Sequence, residues 1–240
     1  MAVAVPPLPS PAAQAERLIE LGVHTIGGWS SAEIHGLAVA AGPEPALLVL
    51  DPVRVRPSDL APLLERAGKP GFVVVDMTDV DSFEPIEQLS VPTAPGYFVS
   101  GITRGDELAN WSPDEALPAI LAAGRTPLTL VEGLYWVLQQ PVALERNHCF
   151  MTIGSRRRKL NERLDARTPA IWISNGTGRD GSAARGAPKL GWCWAGNRHT
   201  WLGFASAAKR VAVNPDTASL VGNGADGLHP VDGKDPVVIA

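Results

Sequence analysis

A chain whose charge is sorted along its length can pack as one unit only if its two parts meet, and here the sorting is sharp. Residues 146–210 hold 13 Lys/Arg against 3 Asp/Glu, a net of +10, while the rest hold 8 against 22, a net of −14. The whole-chain value of −4 conceals this division. Either the basic segment folds against the acidic body and is neutralised there, or it stays exposed and receives something anionic. The same segment carries four of the seven Trp and both Cys.

With 240 residues the chain is long enough to bury a core without a disulfide or metal staple. Its 45% apolar content is that of an ordinary globular protein. Two Cys separated by 44 positions, Cys149 and Cys193, suit a reduced, cytoplasmic protein. The first residues lack the basic start and long apolar run of a signal peptide. No stretch approaches the ~18 uninterrupted apolar residues of a membrane span. The expectation is a cytoplasmic protein with no cofactor, no metal and no membrane partner.

The organisation follows from local signals. Residues 1–10 are Pro-rich and read as a loose arm. A short helix over 11–21 stops at Gly22, and a second, capped by Ser30 or Ser31 with Glu33 near its start, ends at Gly42-Pro43. The apolar runs 46–50 and 72–75 flank leucines at helical spacing in 58–67, a strand–helix–strand unit whose crossover would make the pairing parallel. Residues 97–102 read as a third strand. Ser112-Pro113-Asp114-Glu115 opens a helix ending at Gly124, and another spans about 128–140. In the basic segment, 149–153 and 170–173 read as strands and 174–188 as a long Gly-rich loop. Residues 190–194 and 200–204 read as an antiparallel hairpin around 195–199. Residues 211–240 lack periodicity and read as a disordered tail. The fold class is α+β: N-terminal helices and a small sheet packed on a C-terminal, mostly antiparallel, Trp-rich sheet. Residues 11–210 form one unit, acidic over 11–145 and basic over 146–210.

Several residues invite chemistry, each against a structural alternative. In a strand, Trp192 and Trp194 share a face, and the turn beyond them gathers Asn197, Arg198 and His199. Indole walls with amide, guanidinium and imidazole at the mouth suit an anionic or planar ligand, but the same residues suit a packed core. The loop containing Asn175, Thr177 and Arg179 has the glycines of an anion-binding nest, without the ending of a P-loop or the dinucleotide fingerprint. A flexible surface loop is the preferred explanation. Arg156 opens the densest run of positive charge, which faces phosphate or is simply solvated or paired with the acidic half. Cys149 and Cys193 with His148 and His199 suggest a thiol–imidazole pair, yet their spacing is not that of a metal site, and free Cys among aromatics is usually a small buried apolar group. Asp76, Asp79 and Asp81 follow an apolar strand, where carboxylates can bind Mg²⁺ but turn and helix-cap chemistry explains them more cheaply. The helix pair around Gly124 carries Asp114, Glu115 and Glu132, which would repel DNA, so nucleic acid is a less favoured partner.

The runs PAIWISNGTGRDG (169–181) and GAPKLGWCWAGNRHTWLGFASAAKR (186–210) resemble an uncharacterised actinobacterial family, a domain of unknown function. The similarity takes in 112–134, 147–156 and, more weakly, 68–83. Some relatives carry an acidic Asp-Val-Asp-Thr-Gly turn where this chain has Ser100-Gly101-Ile102-Thr103-Arg104-Gly105. The resemblance implies a single unit and no mechanism. Two readings remain open. One is a binding protein whose basic, Trp-lined C-terminal half receives an anionic small molecule or acidic protein, through Arg156, Asn175, Thr177, Arg179, Trp192, Trp194, Asn197, Arg198 and His199. The other is a hydrolase- or transferase-like enzyme using Cys193 or Cys149 with His199.

Overall fold

Ser10, Ser30, Ser112 and Thr129 each cap a helix, which fixes where the N-terminal half of the chain turns. The computed structural model describes residues 5–41 and 45–213. Helix α1 (Pro11–Glu20) starts where the Ser10 hydroxyl accepts from the Ala13 N–H. A one-turn helix, α2 (Val23–Gly27), leads to α3 (Ser31–Val39), where Ser30 and Glu33 satisfy each other's backbone donors in a capping box. The same box closes the start of α5 (Pro113–Ala122) through Ser112 and Glu115, and of α6 (Leu130–Gln139) through Thr129 and Glu132. Between α3 and α5 lies α4 (Pro57–Leu60).

Among the described residues eight strands make the two larger sheets of an α+β fold, beside short two-stranded pairings. The smaller joins β1 (Ala46–Leu50), β3 (Gly96–Ser100) and β8 (Lys209–Val213), with β3 central and both pairings antiparallel. The larger runs in the order β7 (Leu202–Phe204), β4 (Cys149–Met151), β5 (Arg167–Ile173), β6 (Pro188–Trp194), β2 (Phe72–Val73). Here β4–β5 and β5–β6 are antiparallel, and the outer pairs β7–β4 and β6–β2 are parallel. Helix α6 is buried along its whole length and touches both β1 and β5, so it joins the two sheets. One apolar cluster runs from Ala15 to Val213. Gln14 ties α1 to β1: its amide donates to the Ala46 carbonyl and accepts from the Leu48 N–H, both at 2.8 Å.

The α+β class is the one read from the sequence, but several pairings differ. The run 46–50 pairs with β3, not with 72–75. The expected helix over 58–67 stops at Leu60, runs on as a 3-10 turn to Leu63, and gives way to a tight turn at Ala67 and Gly68, both with positive φ. The connection thus lacks a helix long enough to pack across a sheet, and 72–73 instead extends the larger sheet beside β6. The expected hairpin is absent as well. Both edges of β6 are occupied, by β5 and β2, so the chain leaves the sheet after Trp194 and residues 202–204 join the far side of β4.

At the ends, the arm expected to be loose is tethered where it is described. Gln140 Nε2 donates to the carbonyls of Pro6 (2.7 Å) and Pro7 (2.8 Å), and Val5 and Leu8 pack on the core. The tail expected to be disordered from 211 is strand as far as Val213, and the remainder of it lies outside the described residues, as does the helix stop expected at Gly42-Pro43. Among the described residues no helix is long and apolar enough to cross a membrane.

Candidate functional site

The charged residues singled out from the sequence are mostly occupied. Arg156 approaches Asp114 (3.9 Å) and donates to the Asp165 carbonyl (2.6 Å). Arg157 and Arg167 converge on Asp79, and Arg158 pairs with Glu87. Arg179 bonds Asp76 (2.8 Å), Lys189 bonds Asp180 (2.7 Å), and Arg210 reaches the buried Glu132 (2.6 Å). Arg198 donates from Nε to Glu115 (3.0 Å). The Ser112 backbone N–H and then Arg198 hold the Glu115 carboxyl down at about 2. The acidic residues of the N-terminal half therefore neutralise much of the basic segment.

The remaining candidates are scattered. Trp192 and Trp194 pack edge to face, centroids 4.5 Å apart, as shared strand parity requires, and Trp194 is exposed. Asn197 and Arg198 lie on the exposed turn, away from Arg179. Thr177 and Arg179 border a 260 Å³ hollow with Trp172, Lys189 and Trp192. The Gly-rich loop folds around its own carboxylate: Asp180 accepts from the Ser174 hydroxyl (2.8 Å) and from Lys189. Asp180 thus takes up the Lys189 ammonium that a bound anion would use.

The thiol–imidazole pair does not form. The Cys149 thiol donates to the Glu145 carbonyl (3.2 Å), and Cys193 pairs across the sheet with Thr168. Burial pushes both thiols up to about 11, which leaves almost no thiolate at neutral pH. His199 stacks edge-on to Trp201 (5.7 Å), and burial lowers its pKa.

A different group of residues comes together at a cleft of about 980 Å³, close to the upper end of ordinary ligand sites at roughly 300–1,000 Å³. Val5, Pro6, Pro7 and Leu8 form one wall, and Trp136, Trp201 and Leu202 supply apolar surface. Its polar groups come from the 101–107 turn and from Asn147 and His148. A 160 Å³ annex bordered by Arg146, Cys149, Ile173 and Asn175 shares Asn147 and Trp201 with the cleft.

The polar floor is built by close backbone packing. Arg104, whose side chain is 3% exposed, donates from Nε (3.1 Å) and Nη2 (2.7 Å) to one oxygen of Asp106. Gly105 between them has φ +69°, and a Cβ there would lie 2.1 Å from the Phe204 carbonyl. A Cβ on Gly203 would lie 2.4 Å from the Arg104 carbonyl. These two glycines let the turn rest directly on β7, so that Arg104 and Asp106 meet at the cleft. Across the cleft, the turn 145–148 closes through His148 N–H to the Glu145 carbonyl (3.0 Å), with Asn147 in the left-handed region (φ 65°). It brings His148 Nδ1 within 3.8 Å of Asp106 Oδ2. Arg146, exposed at the same turn, has no carboxylate partner among the described residues.

The structure thus gathers His148, Cys149 and Asn175 from the sequence candidates, together with the 101–107 turn. Sequence reasoning missed Arg104 and Asp106 as a pair. Their visible signal is a cation and an anion flanking a glycine just after a strand.

Residues 17–213 match a family described as a family of unknown function, DUF5701. The chain belongs to the DUF5701 family. No curated protein and no solved structure matches it. The DUF5701 match takes in the Arg104–Asp106 turn, the 145–148 turn and Trp201, but not the cleft wall at residues 5–8.

Proposed function

We propose that this protein binds a small organic anion through its basic, Trp-rich half, in the cleft and annex that meet at Trp201. One observation carries the reading. Arg146 has no carboxylate partner among the described residues and borders a concavity beside Trp201, whereas Arg156, Arg179 and Arg198 each face an acid. An unpaired guanidinium offers a planar fork for a carboxylate or phosphate. Trp201 offers an apolar face for the rest of the ligand, with the buried Trp136 behind the cleft wall, and Asn147 and Asn175 offer orienting amides. The Cys/His alternative has less support: the Cys149 thiol donates to a backbone carbonyl, and burial pushes both thiols up to about 11.

Native mass spectrometry of the protein purified from its own host, set against its denatured mass, tests this. The expected result is a small adduct that persists in Arg179→Ala and is reduced at least tenfold in occupancy in Arg146→Ala. An adduct lost with Arg179→Ala and kept with Arg146→Ala would move the site to the hollow between Trp172 and Trp192. A bare mass in every sample would count against a small-molecule site.

A further inference from the structure

We propose that the cleft is catalytic, and that His148 is the general base of an ester hydrolysis performed on its ligand. The proposal rests on the ligand-binding reading of the same cleft. Three groups stand in series: the buried Arg104 fixes one carboxylate oxygen of Asp106, and that same oxygen faces His148 Nδ1 at 3.8 Å. At 3.8 Å the pair is not hydrogen-bonded, but a carboxylate that closes on Nδ1 selects the tautomer with the proton there and leaves Nε2 as the basic nitrogen. Such contacts are often long before substrate binds and shorten in the complex.

The backbone shows how firmly the arrangement is set. Gly105 and Gly203 let the turn that carries Asp106 pack directly against β7. His148 is placed by a hydrogen-bonded turn that requires a left-handed Asn147. Asp106 and His148 are each 26% exposed on their side chains, open enough to meet a ligand. Asp106 also neutralises Arg104, so its position serves both charge and orientation.

Neither thiol lines this cleft, and Cys149 is turned to the Glu145 carbonyl, so the nucleophile assigned to such a base is water. Water gives a proton to His148 Nε2 while its oxygen forms a bond to the acyl carbon. The tetrahedral intermediate then breaks its C–O bond to the alcohol, and the leaving oxygen takes the proton back from Nε2. One ester and one water become one acid and one alcohol, with no change of oxidation state. The class of substrate is an ester of a small organic acid, with an anionic group directed to Arg146. Asp106 is a positioning residue, since it acts through His148.

The test is hydrolysis of p-nitrophenyl acetate by the full chain, with His148→Gln, His148→Ala and Asp106→Asn. General-base catalysis contributes about 10²–10⁴-fold, so His148→Gln is expected to lose at least about a hundredfold in rate while its thermal midpoint stays near that of the wild type. Added imidazole should restore part of the rate to His148→Ala. Asp106→Asn should lower kcat about tenfold with KM little changed, a split that a merely structural residue would not give. Cys193→Ala should be unaffected. Wild-type hydrolysis no faster than that of folded His148→Gln would overturn the proposal. If the native adduct is still present in that case, catalysis falls and ligand binding stands. A bare mass with His148-dependent turnover would instead remove the anion-binding reading and leave the base.

Discussion

Glu132→Ala is expected to lower the unfolding free energy by about 3–5 kcal/mol, because it leaves a buried cation without its anion. The Glu132 side chain is 0% exposed and that of Arg210 is 6%. The two meet through Nε to Oε1 (2.6 Å) and Nη2 to Oε2 (2.7 Å). Glu132 also accepts from the Tyr97 hydroxyl (3.2 Å) and from the Thr129 N–H that opens α6 (2.8 Å). One carboxylate therefore holds the end of β8, the middle of β3 and the start of the helix between the sheets. After its removal Arg210 keeps only neutral acceptors, Thr126 Oγ1 and the Pro127 carbonyl. The double variant Glu132→Leu/Arg210→Met should lose less than either single change, since the dominant cost is the orphaned charge rather than the missing attraction. Urea denaturation of the three variants measures this directly. Equal losses in single and double variants would show that the pair itself supplies the stability.

The second large effect concerns the joint between the acidic and basic parts. Asp79 receives Arg167 through two nitrogens (2.9 and 2.6 Å) and Arg157 through a third. Asp79→Asn is expected to cost about 2 kcal/mol, the middle of the range for hydrogen bonds to a charged group, since the site is only partly buried. Its pH dependence has a definite sign. The Arg167 hydrogen bonds hold the Asp79 carboxyl below its ordinary value. The folded state therefore binds its proton later than the unfolded chain does. The stabilisation is fully present above the ordinary carboxylate range near pH 4 and is lost as pH falls through the lowered folded value. Thermal unfolding between pH 6 and pH 2 should show a steep acid loss in the wild type and a shallower one in Asp79→Asn. Parallel curves would remove Asp79 from the account.

The features legible in the sequence were local ones. The capping residues Ser30 and Ser112 lie within three positions of the acids that answer them, and the helices start where those signals stand. The apolar runs 46–50, 97–100, 149–151 and 170–173 are strands because each is buried whatever its partner. Pairing is another matter. Residues 72–73 join β6 more than a hundred positions away, and 202–204 bypass the neighbouring β6 for β4, choices set by which sheet edges remain open. Charge sorting posed the right question without its answer. A run of arginines looks the same exposed or paired, and only the fold brings Asp76, Asp79, Glu87 and Glu115 to meet Arg179, Arg167, Arg158 and Arg198. The cleft was least legible. Its walls come from residues 5–8, 101–107, 147–148 and 200–203, and the Arg104–Asp106 turn gains meaning only from Gly203 lying beneath it.

The most direct test of the central claim is an amide and indole NMR map of the ¹⁵N-labelled protein, freed of ligand, on adding back the small molecules released from protein purified from its host. The seven indole N–H groups report separately on the cleft and on the exposed strand. The account predicts shifts at the Trp201 and Trp136 indoles and at the amides of Gly101, Gly105 and His148, with Trp192 and Trp194 unmoved. Shifts confined to Trp192, Trp194 and Arg179, with the cleft silent, would contradict it.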